Sequence, residues 1–84
     1  MKFVDLSNIK IPPTIIDLVP ESVARENVLI PITEENGILQ IATSNPFDLD
    51  TMQKLQFILG RDIQPVLASA EQIVAAINRH YGPS

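Results

Sequence analysis

The residues that could do chemistry gather round one short stretch, ATSNPFDLDTMQKL, at positions 42–55. A strand ends in small polar residues, an Asn45-Pro46 pair follows, and a helix opens between Asp48 and Asp50. Such a strand–loop–helix corner can cradle phosphate, because the first amides of a helix converge on an anion. A cradle also needs glycines for close approach and commonly a lysine for the outer phosphates. This corner has neither, and its two aspartates would repel an anion. A capped turn is the expectation. Asp48 and Asp50 with Glu34 and Glu35 do not make a hard-cation loop, which wants several oxygens on one loop and a turn glycine. His80 is the only histidine and there is no cysteine, so a zinc set cannot be assembled. His80 falls in the last turn of a helix, where a capping or surface role is expected. Serines 7, 22, 44, 69 and 84 lie in no nucleophile motif. These readings predict no catalytic, metal or cofactor-binding residue, and hence not an enzyme.

Composition narrows the partners. The chain has 84 residues and a net charge of -4, with six scattered cations: Lys2, Lys10, Arg25, Lys54, Arg61 and Arg79. Nucleic acid and anionic membrane both call for a basic stripe, and none is present. No apolar run approaches about 18–20 residues, so membrane insertion is not expected. MKFVDLSNIK has no apolar signal core, which with the missing cysteines predicts a cytoplasmic chain.

The elements that must position these residues can be read in order. Residues 1–10 read as an extended arm, 11–82 as a single domain and 83–84 as a tail. Pro12 and Pro13 suit the start of a short helix over Thr14–Val19. Glu21–Asn27 reads as a second helix. Asn36-Gly37 between two apolar runs predicts a hairpin of 28–33 with 38–43. Pro31 predicts that the first of these strands lies at an edge or carries a bulge. Asn45 can cap the next helix, with Asp48 as an alternative cap two residues later. Met52, Leu55 and Leu59 mark its inner face, with Leu49 and Ile58 on or near that face, and Gly60 ends it. A third strand, 62–68, contains Pro65. Ser69 and Gln72 have the form of a capping box, each satisfying the other's free amide. Ile73, Ile77 and Tyr81 line the last helix, stopped by Gly82 and Pro83. The predicted fold is α+β (small α/β). Its three-stranded mixed sheet joins an antiparallel hairpin to a parallel β-α-β crossover, right-handed by rule, packed with about four helices.

Taken together, Val19-Pro20, Ala24-Arg25, Pro31, Leu39, Ile41-Ala42, Asn45-Pro46, Leu55, Gly60, Pro65 and Tyr81 resemble the N-terminal domain of type II secretion and type IV pilus assembly ATPases. The resemblance covers residues 11–82. It implies a non-catalytic docking domain that links a motor to inner-membrane machinery. The implied partner is an inner-membrane secretion or pilus component, or the adjacent ATPase core. A location in the cytoplasm, peripheral to the inner membrane through partners, is implied as well. Some members of that family bind cyclic di-GMP through motifs beginning Arg-Leu-Gly. No such motif occurs in this chain, and neither does a Walker A lysine loop. The candidate partner surface is the arm, at Phe3, Val4, Leu6 and Ile9, and the first helices, at Ile15, Ile16, Leu18 and Val19. The arm's apolar residues would also allow weak self-association. A nucleotide-sensing module is the alternative, with Arg25, Arg61 or Arg79 as phosphate ligands.

Overall fold

A computed structural model describes residues 3–82. The tail at 83–84, the helix-stopping role of Pro83 and the cation Lys2 lie outside the described residues. The order is a 3-10 turn (Leu6–Asn8), α1 (Pro13–Ile16), α2 (Glu21–Asn27), β1 (Leu29–Glu35), β2 (Ile38–Thr43), α3 (Leu49–Leu59), β3 (Asp62–Leu67) and α4 (Ala70–Tyr81). The three strands form one sheet in the order β1-β2-β3. β1 pairs antiparallel with β2, and β2 parallel with β3, Ile38 facing Asp62 and Thr43 facing Leu67. The architecture is the α+β mixed sheet that the residue pattern predicts.

Local chemistry explains each junction. Asn36 and Gly37 both take positive φ, 55° and 80°, as a two-residue hairpin turn requires. β1 is an edge strand, and its register also shifts between Pro31 and Thr33, so both accommodations of Pro31 occur at once. β3 is the other edge. Its Ala68 amide donates to Thr43 across the sheet, while Leu67 accepts from Val4 on the far side. By alternation the missing N–H of Pro65 faces outward, where no ladder bond is lost.

Several boundaries differ from the sequence expectation, among them β3, which ends at Leu67 rather than at 68. The first helix is shorter, and residues past Ile16 continue as a turn rather than reaching Val19. Val28 does not open β1; it ends α2 in the left-handed region at φ 51°, its N–H bonded to the Ala24 carbonyl. β1 accordingly begins at Leu29 and runs on to Glu35. Of the two caps the sequence offers for α3, Asp48 is the one used: its carboxylate accepts from the Thr51 amide at 3.3 Å and the Thr51 hydroxyl at 2.7 Å.

The core is aliphatic. Leu29, Ile30, Leu39, Ile41, Leu55 and Ile73 are fully buried, joined by Leu6 from the arm and Ile77 from α4. α3 packs on β3, whereas α4 packs on β1, β2, α1, α2 and the 3-10 turn. The sheet face bearing Leu39 and Ile41 is covered at both. The other face is buried at Ile30, Ala42 and Val66 but open at the hairpin end, where Ile38 and Thr33 are exposed.

Candidate interaction surface

The arm is built into the fold through its main chain. Phe3 makes a parallel bridge with Leu67, and the Val4 amide donates to the Leu67 carbonyl at 2.8 Å. Asp5 caps the 3-10 turn, accepting from the Ser7 amide at 3.0 Å and its hydroxyl at 2.6 Å. Those two bonds, with a third from Gln72, hold the Asp5 carboxyl below its ordinary range. Three α4 side chains then grip the arm. Gln72 Oε1 accepts from the Leu6 amide at 3.1 Å, and Gln72 Nε2 donates to Asp5 at 3.1 Å. Arg79 donates to the Leu6 carbonyl at 3.1 Å. His80 Nε2 accepts from the Ile11 amide at 3.3 Å. The other ring nitrogen, Nδ1, lies 2.9 Å from the Ala76 carbonyl, which assigns it the proton and makes His80 a neutral acceptor toward Ile11.

The capping box is therefore half as expected. Ser69 does accept from the Gln72 amide at 3.1 Å. The Gln72 side chain, however, is turned to the arm rather than back to Ser69.

The eight candidate partner residues fall into three groups. Phe3 is 56% exposed. Val4, Ile9, Ile15 and Leu18 are half-buried against the core. Leu6, Ile16 and Val19 are buried and hold the others from beneath. Tyr81 fixes the α1 region from α4, its hydroxyl donating to the carbonyls of Val19 at 2.8 Å and Ile16 at 3.2 Å. Burial first, and the Asp17 and Glu21 charges second, push the Tyr81 phenol up to about 12.

Four further apolar side chains, on or just before α3, are exposed, two of them, Leu49 and Ile58, against the expectation that they lie on or near the inner face of α3. Phe57 is 87% exposed, Phe47 76%, Leu49 67% and Ile58 46%. Leu49 and Ile58 thus do not sit on the inner face of α3. At about 100° per residue, the Met52–Leu55–Leu59 stripe leaves Leu49 and Ile58 on opposite flanks and points Phe57 outward. Strict phase counting from the buried stripe was the available signal.

The corner and the charged residues hold structure together. The Thr43 hydroxyl accepts from the Asn45 amide at 3.1 Å, and the Asp48 amide donates to the Asn45 carbonyl at 3.2 Å. The Thr51 hydroxyl and amide keep the Asp48 carboxyl below its usual range. Arg25 bonds to Glu21 at 2.7 Å, Asn78 at 2.9 Å and the Gly82 carbonyl at 2.6 Å. Arg61 pairs with Glu34 at 2.6 Å. Arg25, Arg61 and Arg79 are thereby committed to three different places. Among the described residues no three His, Asp or Glu side chains gather as a metal site, and no helix is long and apolar enough to cross a membrane.

Comparison with known proteins agrees with this geometry. The family model of the MshEN domain matches residues 1–84. The type IV pilus assembly ATPase PilB of Myxococcus xanthus is 33% identical over 84 residues, covering 96% of this chain and 15% of that protein. PilB of Thermus thermophilus is 29% identical over 80 residues, covering 93% of this chain and 9% of its own length. The chain therefore spans a small fraction of these relatives. A solved structure of MshE with cdg superposes with a TM-score of 0.84 at 30% identity, over 94% of this chain and 58% of that one. The N-terminal domain of XpsE gives 0.78 at 18% identity, over 92% and 55%, a likeness of fold alone. The chain belongs to the MshEN domain family, the N-terminal domain of type II secretion and type IV pilus ATPases.

Proposed function

We propose that this is a non-catalytic docking domain that ties a secretion or pilus ATPase to its inner-membrane machinery from the cytoplasmic side. The observation that supports it best is the match to pilus assembly ATPases over 96% of this chain but 15% of theirs. No Walker A loop occurs in the matched segment, so its part in such a motor is other than hydrolysis. The polar side chains point the same way. Gln72, Arg79, His80 and Tyr81 spend their hydrogen bonds on holding the arm and α1 in place. What they hold outward is Phe3 with the half-buried Val4 along β3, and separately the half-buried Ile15 and Leu18 of α1, which packs on β1; Phe3 is the most exposed of these and suits an apolar groove on a partner protein. The test is calorimetric titration of the domain with the cytoplasmic part of the inner-membrane assembly. Saturable binding that Phe3→Asp weakens about tenfold or more supports the reading. Absence of binding by the wild-type domain ends it.

Cyclic di-GMP sensing is a second reading, favoured by one observation: the 30%-identical MshE was solved with cdg. Within this chain the three candidate arginines face three separate sets of protein partners. Titration with cyclic di-GMP distinguishes the readings, because the docking reading expects no heat of binding to the segment alone.

A further inference from the structure

His80 is the one histidine of the chain, and its ring is engaged at both nitrogens. Nδ1 carries the proton and donates to the Ala76 carbonyl at 2.9 Å, one turn back on α4. Nε2 accepts at 3.3 Å from the Ile11 amide, in the segment that joins the arm to α1. Ile11 is 6% exposed, and among the described residues its amide has no main-chain acceptor. A buried N–H thus depends on one imidazole lone pair. The other holds on the arm do not involve the ring: Gln72 and Arg79 bond to Leu6, and Val4 bonds to Leu67.

We propose that His80 is a proton-operated latch on residues 7–12: the neutral ring closes it on Ile11, and proton uptake opens it while Leu6 and the sheet stay in place. Only the neutral imidazole has a lone pair to offer. With Nδ1–H fixed on Ala76, a proton from solvent adds at Nε2, and Nε2–H then points a donor at the Ile11 donor. The ring gains one positive charge and the Ile11 bond is lost. Histidine is the side chain that ordinarily makes this change between about pH 5 and 8. No counter-charge holds the ring through it. The two ion pairs found among the described residues, Arg25–Glu21 and Arg61–Glu34, do not include His80. On the elements packed against α4, Asp5 is bonded to Ser7 and Gln72, Glu21 to Arg25 and Glu34 to Arg61. Lys10, Asp17, Glu26 and Glu35 are exposed, as are Glu71 and Arg79 on α4 itself. Arg79 donates to Leu6, and Tyr81 gives its hydroxyl to Ile16 and Val19. The last turn of a helix accommodates a cation, so charging the ring does not require α4 to unwind. The change falls on Ile11. It concerns how the arm meets α1 and stands whether or not the docking reading does.

NMR on the isotopically labelled full chain, titrated from about pH 8 to about pH 5, tests it. The ring nitrogen shifts of His80 report its tautomer and its proton uptake. Amide exchange, expressed as protection relative to the unstructured rate at each pH, reports the latch. At the alkaline end Nδ1 should carry the ring proton. As the ring takes up its second proton, protection at Ile11 should fall about tenfold or more, while Leu6, held by Gln72, and Leu39 and Ile41 in β2 change less than about threefold. His80→Phe removes the lone pair and should give low protection at Ile11 with no step in pH. The wild-type titration decides the matter even where that variant folds poorly. A ring proton on Nε2 at the alkaline end, a ring that stays neutral to the acidic end, or a ring that charges with Ile11 unchanged would each overturn the proposal. So would a fall shared equally by β2, or a pH step that survives in His80→Phe.

Discussion

Tyr81 shows how much one polar atom can organise. Its hydroxyl serves two carbonyls of the α1 region at once, from a helix more than sixty positions away. Tyr81→Phe leaves both carbonyls without that donor and should cost about 1–2 kcal/mol in urea unfolding. A pH signature goes with it. The folded phenol ionises at about 12, whereas an unfolded one does so near 10. Its contribution is therefore complete below pH ~10 and is lost as pH rises toward about 12, a decline that Tyr81→Phe should lack. With one tyrosine and no tryptophan, phenolate absorbance follows the titration directly. Asp5 and Asp48 run the other way. Their folded carboxyls are held low by hydrogen bonds from Ser7 and Thr51, so their contribution is present above the ordinary carboxylate range and disappears as pH falls through the folded values. Acid unfolding followed by circular dichroism should shift to higher pH in wild type than in a Thr51→Val variant corrected for its own stability at neutral pH. Leu6 is the apolar counterpart: 1% exposed, in a segment that reads as an extended arm. Leu6→Ala should destabilise by about 2–4 kcal/mol, measured by the same urea titration.

At the scale of elements, the grip of α4 on the arm makes a sharp expectation. Gln72→Ala removes one bond to Leu6 and one to Asp5 while leaving the Ser69 cap, which needs only the backbone amide of position 72. Amide exchange at Leu6 should accelerate several-fold or more, with exchange in β2 little changed, since the arm can open without the sheet. What the sequence showed of these elements depended on the range of the forces involved. The Asn36-Gly37 turn, the Pro31 edge and bulge, the Gly60 helix end and the Ser69 cap all arise from neighbours within a few residues, and each was legible. Asn45 and Asp48 are both good caps, and choosing between them needed the Thr43 hydroxyl that already holds the Asn45 amide. The destination of Gln72 was closed to sequence reading for a different reason. Its competing partners were a local amide and a main chain 66 positions away. Val28 was misplaced because a β-branched residue in the left-handed region costs of order 1–2 kcal/mol and is a poor expectation for a helix end. The candidate surface was legible only as composition. Apolar residues in the arm had to bury somewhere, and the structure divides them between Leu6 inside and Phe3 outside.

For the whole molecule, the division of labour is spatial. One set of helices closes the chain on itself, through Arg25 to Asn78 and the Gly82 carbonyl and through Arg79 to Leu6. α3 stands apart, packed on β3 with its aromatic side outward. That separation keeps α3 clear of the arm, where docking is proposed. Phe57→Ala should accordingly leave partner titration unchanged within error.

The clasp between the arm and α4 has a mechanical consequence. Val4 is bonded to Leu67, Leu6 to Gln72 and Arg79, and Ile11 to His80, so the two ends of the domain are stitched together side by side. A tension applied between residues 3 and 82 falls first on this short row, which touches the sheet only at Leu67 of the edge strand β3. β2, held by a strand on each side, lies one strand further in. On the docking reading, where the domain would be pulled from both sides, such a row would serve as a fuse that yields before the sheet's inner strand.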